Sequence, residues 1–172
     1  MEQQPVKRAK PKSQMSRKLN QHNMSGNSVS LHRVIKTNPE KLYRAFIEPN
    51  ALAAWLPPYG FVAVVHQLEA KLGGNYKMSF INFSTGKGQS FGGKYLEMDA
   101  NKFLKWSDKF DDPNLPGDMT TSVWLKKVIG GTELKIVQEG IPSIIPVEMC
   151  YLGWQDSLDK LMKLAEPEIP DA

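Results

Sequence analysis

Cysteine is almost missing from this chain: Cys150 stands alone. A single thiol cannot form an intrachain disulfide and excludes a cysteine-based metal cluster. It fits a reducing, cytoplasmic compartment. Long apolar runs are missing too. The longest, Ala51 to Leu56, is six residues, against the ~18 that a membrane-spanning helix needs. The charged N-terminus has no apolar segment behind it, so no secretory leader is expected. Histidine is scarce and scattered, at His22, His32 and His66. No HxH, HxxxH or His/carboxylate spacing occurs, so no metal site and no cofactor are expected. Gly88-Gln89-Ser90-Phe91-Gly92 has the Gly-x-Ser-x-Gly spacing, but it falls at the start of an expected strand and opens no helix, so it is not the strand-turn-helix elbow of a Ser/His/Asp hydrolase. Gly86-Lys87-Gly88 lacks the Walker spacing and opens no helix; it reads as a hairpin tip, not a phosphate cradle.

What is present is an ordinary globular composition, 41% hydrophobic and 23% charged over 172 residues, enough for one domain and a tail. The net charge of +4 is unevenly spread. Residues 1–27 hold Lys7, Arg8, Lys10, Lys12, Arg17 and Lys18 against Glu2, a net +5, which leaves the rest at −1. A nearly neutral body argues against a nucleic-acid-binding face. Residues 1–27 lack an apolar period and read as a disordered basic tail. Such a tail is either an arm for RNA, DNA or acidic lipid, or plain solvated chain, or residues ahead of a later start at Met15 or Met24. Residues 167–172 read as a short C-terminal tail.

Between the tails the punctuation is clear. Val29 to Lys36 reads as a strand, with Val29, Leu31 and Ile35 on one parity. Thr37 or Asn38 caps a helix begun by Pro39 and stopped by Pro49. A second helix, Asn50 to Trp55, ends ahead of Pro57-Pro58. Six runs of period 2 follow: Phe61–Glu69, Asn75–Phe83, Gln89–Met98, Phe103–Phe110, Thr120–Val128 and Thr132–Gln138. Short separators rich in Gly, Asp and Asn join them, as hairpins require. A last amphipathic helix is expected over Val147–Ala165. Trp154, Leu158, Leu161 and Ala165 form its apolar face, and Cys150, Met162 and Leu164 widen it. The order is β-α-α-β6-α. The long helix needs an apolar bed, and the sheet is the one large surface on offer. Seven twisted strands curl. The expected fold is α+β: a curved antiparallel sheet wrapped around a long C-terminal helix, over residues 28–166, with a hollow between.

Several motifs then resemble a known family. Pro39-Glu40-Lys41-Leu42-Tyr43-Arg44-Ala45-Phe46, with Pro49 and Leu52-Ala53-Ala54-Trp55, is similar to the opening of Aha-type domains. These form a branch of the START-related, Bet v 1-like (SRPBCC) helix-grip superfamily. Lys71-Leu72-Gly73-Gly74-Asn75-Tyr76, Gly93-Lys94-Tyr95-Leu96-Glu97-Met98, Gly131-Thr132-Glu133-Leu134-Lys135-Ile136, Glu139-Gly140-Ile141-Pro142 and Gly153-Trp154 continue the likeness in order. At Gln138 many relatives carry histidine, so this chain lacks whatever that imidazole does. The resemblance implies an apolar cavity between sheet and final helix. It also implies kinship with the activator of a heat-shock chaperone ATPase, which has a separate chaperone-binding domain that residues 1–27 are too short to supply.

Fold does not set function, so three readings compete. The favoured one is a non-enzymatic carrier or sensor for a small, largely apolar molecule. A co-chaperone-like interaction module is the second, and a cyclase- or hydrolase-like enzyme the third. A chaperone or a second copy of this chain is the protein partner left open. Candidate ligand-binding residues are Trp55, Tyr76, Met78, Phe80, Tyr95, Trp106, Val123, Leu125, Ile136, Gln138 and Trp154. Any apolar one of them taken singly reads first as core, since aromatics dominate cores, whereas the set together reads as a cavity lining. Gln138 shares parity with Thr132, Leu134 and Ile136, and inside the fold its amide needs a partner: a ligand, or backbone at the strand's end. The Trp154 indole needs one too. Glu97 suits acid–base work if it faces inward and is a surface charge otherwise. Asp108, Asp111 and Asp112 flank a Pro/Gly loop and read as solvated acids.

Overall fold

The computed structural model describes residues 27–172. The tail expected over 1–27 thus lies outside the described residues apart from Asn27, which opens the first strand. The elements run β1 (Asn27–Ile35), α1 (Pro39–Ile47), α2 (Pro49–Trp55), β2 (Phe61–Leu68), β3 (Asn75–Asn82), β4 (Gly88–Asp99), β5 (Phe103–Phe110), β6 (Met119–Val128), β7 (Gly131–Ile141) and α3 (Val147–Ala165). The expected order holds throughout. The strands form one antiparallel sheet in the order β1-β7-β6-β5-β4-β3-β2, a meander whose first strand joins beside the last. β7 outruns its expected end at Gln138 by three residues, because Gly140 takes φ 74° and carries the pairing past the bend.

Prolines set the helical corner. The Asn38 side chain caps α1 by accepting from the Lys41 N–H at 2.7 Å, and Pro39 fills the first helical position. Pro49 has no N–H, so α1 stops and the carbonyl of Ala45 loses its natural i+4 donor. The indole of Trp55 supplies one instead, Nε1 donating to Ala45 O at 2.7 Å. This ties α2 back onto α1 around a buried Phe46–Trp55 edge contact with ring centroids 4.9 Å apart.

α3 lies in the grip. Trp154, Ser157, Leu158, Leu161 and Ala165 are buried, whereas Leu164, expected to widen that face, is exposed. Polar ties fix the helix lengthwise. Ser157 Oγ donates to Leu56 O at 2.6 Å, Lys160 Nζ to Pro57 O at 2.8 Å, and Glu166 accepts from the Lys36 N–H at 3.1 Å. The buried stretch belongs to the C-terminal two-thirds of α3. Its first turns carry exposed Met149, Tyr151 and Leu152, and there the sheet is left uncovered. No helix among the described residues is long and apolar enough to cross a membrane.

Candidate functional site

The uncovered region is a groove of about 880 Å³ between β3–β5 and the N-terminal half of α3. Its sheet wall is aromatic: Tyr76, Phe80, Phe91, Trp106 and Phe110. Phe91 makes edge contacts with Phe80 at 4.8 Å and Phe110 at 6.4 Å between centroids. Its helix wall is Met149, Cys150, Gly153, Trp154 and Ser157. Gly153 matters here, since a Cβ built on it would meet nothing within 4 Å. The groove owes part of its width to that missing side chain. The rim residues Phe61, Lys87, Gln89 and Met149 are exposed.

Of the expected ligand-binding residues, the structure brings Tyr76, Phe80, Trp106, Gln138 and Trp154 to this groove. Met78 and Tyr95 instead border, with Tyr76 and Trp106, a separate hollow of about 20 Å³, too small for more than a water. Trp55, Val123, Leu125 and Ile136 line neither and are buried core. Val123, Leu125 and Ile136 do face inward, but α1 and α3 cover their end of the sheet. Within the protein, the Gln138 amide is met by side chains and not by backbone. Its Oε1 accepts from Trp154 Nε1 at 2.9 Å, and its Nε2 lies 3.8 Å from Met119 Sδ. The two polar candidates thus satisfy each other and pin α3 to β7 on the groove floor. Trp154→Phe leaves Gln138 Oε1 without that donor and is expected to cost about 1–3 kcal/mol, read as a lower urea midpoint at unchanged m-value.

Glu97 is exposed and pairs with Lys105 at 3.8 Å. A bulge between Tyr95 and Glu97 shifts the β4–β5 register and turns it outward. Asp108 does the opposite of what its neighbourhood in sequence suggests. β5 continues to Phe110, so Asp108 shares the inward parity of Leu104, Trp106 and Phe110 and stands in the groove wall. Its Oδ1 is buried and has no hydrogen-bond partner among the described residues. Burial pushes its carboxyl up to about 7, although the Tyr76 hydroxyl and the Lys109 N–H beside it pull the other way. That hydroxyl reaches β5 across Gly93, the register partner of Tyr76, and donates to Ser107 O at 2.9 Å. A Cβ at Gly93 would stand 2.0 Å from the same carbonyl. Burial first, then the charge of Asp108, raises the Tyr76 phenol well above its ordinary range. Asp111 forms an ion pair with Lys77 and accepts from Ser90, which lowers its carboxyl. Among the described residues no three His, Cys, Asp or Glu side chains converge on a metal-sized site.

A sheet gripping one helix beside an open groove is the architecture that the sequence motifs implied, and comparison with known proteins agrees. Residues 36–166 match the model of the family described as activator of Hsp90 ATPase homolog 1-like protein. The chain belongs to this family. Among solved structures, a protein from Chromobacterium violaceum is 51% identical with TM-score 0.82, over 83% of this chain and 99% of that one. A Rhodobacter sphaeroides protein (20% identity, TM-score 0.70, covering 81% and 93%) shares the fold. So does an AHSA1-like protein from Aeromonas hydrophila (18%, 0.65, covering 80% and 90%). No curated protein matches. As an activator-homologue-like domain, the chain carries the superfamily's groove for a ligand or partner, with an acid in its wall that the motifs did not reveal.

Proposed function

We propose that this domain is a non-enzymatic binding module whose groove takes a small, largely apolar molecule with one polar end. The observation that carries this is the groove itself. Its volume is in the range of small-molecule sites, its lining exposes more apolar than polar surface and includes seven aromatic side chains, and Asp108 stands among them. Trp154 and Gln138 are hydrogen-bonded to each other, and the Tyr76 hydroxyl is engaged with the Ser107 carbonyl. These features favour holding a molecule over transforming it.

Gly153 gives the test. It is a helical position with open space ahead, so Gly153→Phe adds a ring into the groove without a backbone clash. It also removes a helix-interior glycine, which by itself is worth up to ~1 kcal/mol. Native mass spectrometry and solvent extraction of the purified full chain are expected to find a bound apolar compound in the wild type and none in Gly153→Phe. A variant that retains the compound would overturn the reading.

The family match speaks more directly for a second reading, a co-chaperone-like interaction module, because the family description names an activator of the Hsp90 ATPase. In that case the groove and its exposed rim receive a protein segment. Stimulation of the ATPase of the chaperone from the same organism, lost in Gly153→Phe, supports this reading. No stimulation by the full chain counts against it.

A further inference from the structure

We propose that the groove selects an apolar amine: a molecule whose hydrocarbon body lies among the aromatic side chains and whose cationic nitrogen pairs with the carboxylate of Asp108. This deepens the small-molecule reading and rests on it.

Three observations converge on the inference. First, Asp108 is set into the aromatic wall, between Trp106 and Phe110 along β5, and its buried Oδ1 has no partner among the described residues. A buried carboxylate oxygen without a donor is costly and is usually met by a ligand, a water or an ion. Second, among the described residues no cation pairs with it. The charged groups facing the groove are Lys87 from the β3–β4 hairpin, Asp108, and Asp111 and Asp112 just beyond β5. Lys77 is engaged with Asp111. From β3 comes the neutral phenol of Tyr76, and from α3 the neutral thiol of Cys150, whose ionisation burial opposes. The groove therefore favours a positive guest over a negative one. Third, the Tyr76 hydroxyl donates to the Ser107 carbonyl, so the hydrogen-bonding capacity left open at this point is acceptor capacity. A ligand that brings donors fits, and one that brings only acceptors does not. A bare metal ion is a poorer fit, since among the described residues no three ligating side chains converge.

The test compares octylamine, octan-1-ol and octanoate, equal in chain length and different in head group, by isothermal titration calorimetry on the full chain. At pH 8 octylamine is expected to bind at least about 10-fold more tightly than either of the others, the discrimination of a charge-assisted contact. Octylamine remains cationic throughout the range. Its affinity is therefore expected to fall by up to about 100-fold between pH 8 and pH 5, as Asp108, with its carboxyl near 7, takes up a proton. Asp108→Asn is expected to erase both the preference and the pH dependence while octan-1-ol still binds. Equal binding of all three probes, a preference for octanoate, or an Asp108→Asn protein that still prefers the amine would overturn the assignment and leave the apolar groove standing. No binding of any probe would remove the small-molecule reading along with it.

Discussion

Asp108→Asn is expected to stabilise the fold at pH 8 by about 2–4 kcal/mol and to leave it nearly unchanged at pH 4. Most substitutions destabilise, so the direction itself is the test. The carboxyl of Asp108 has an ordinary value of 3.8 and is pushed up to about 7 in the folded chain, with burial as the leading cause. Between those two values the folded state holds a proton that the unfolded state has released. Stability therefore declines as pH rises from about 4 to about 7, and the loss persists above that. Asparagine keeps the shape and never ionises, so the decline should disappear in the variant. Urea unfolding at both pH values checks it. Equal effects at pH 4 and pH 8, or a loss at pH 8, would show that the carboxylate is better solvated than its position in β5 implies.

Trp55→Ala is expected to remove at least about 3–5 kcal/mol, the usual cost of truncating a fully buried tryptophan. That is a large part of a typical domain's stability, and should lower Tm by roughly 6–20 °C. Two losses combine. The ring leaves a cavity against Phe46, and the Ala45 carbonyl, already deprived of a donor by Pro49, loses the indole that replaced it. Trp55→Phe separates these by keeping much of the volume and losing the hydrogen bond, for about 1–3 kcal/mol. A ligand-lining residue would behave differently, changing binding with little effect on unfolding. Calorimetric melting of both variants distinguishes the cases.

Trp55 also marks the boundary of what the sequence made legible. Its burial was readable, but not that it belongs to the core and not to the groove, because that depends on how α2 folds back over α1. The element order was readable because prolines and glycines stop each run and the period changes from helical to alternating at Gly60. The inward parity of Val123, Leu125 and Ile136 was readable as well. What parity lacks is position along the helix: only the C-terminal part of α3 fills the sheet, so the hollow moves to β3–β5 and leaves those three residues as core. Asp108 had a usable signal in its alternation with Trp106 and Phe110, outweighed by the adjacent loop Asp111–Gly117, whose composition suggests solvent. Glu97 had none, because a one-residue bulge inverts parity and leaves no mark in a single sequence.

The four tryptophans divide by location. Trp55 is sealed in the core and Trp124 lies on the outer surface beside Phe103 and Lys135, while Trp106 and Trp154 stand on opposite walls of the groove. Two of the chain's four indoles thus stand at the surfaces a guest would touch. Occupancy of the domain should register as a spectral shift or quenching without any attached dye, and the Trp124 signal provides an internal baseline that the guest does not reach.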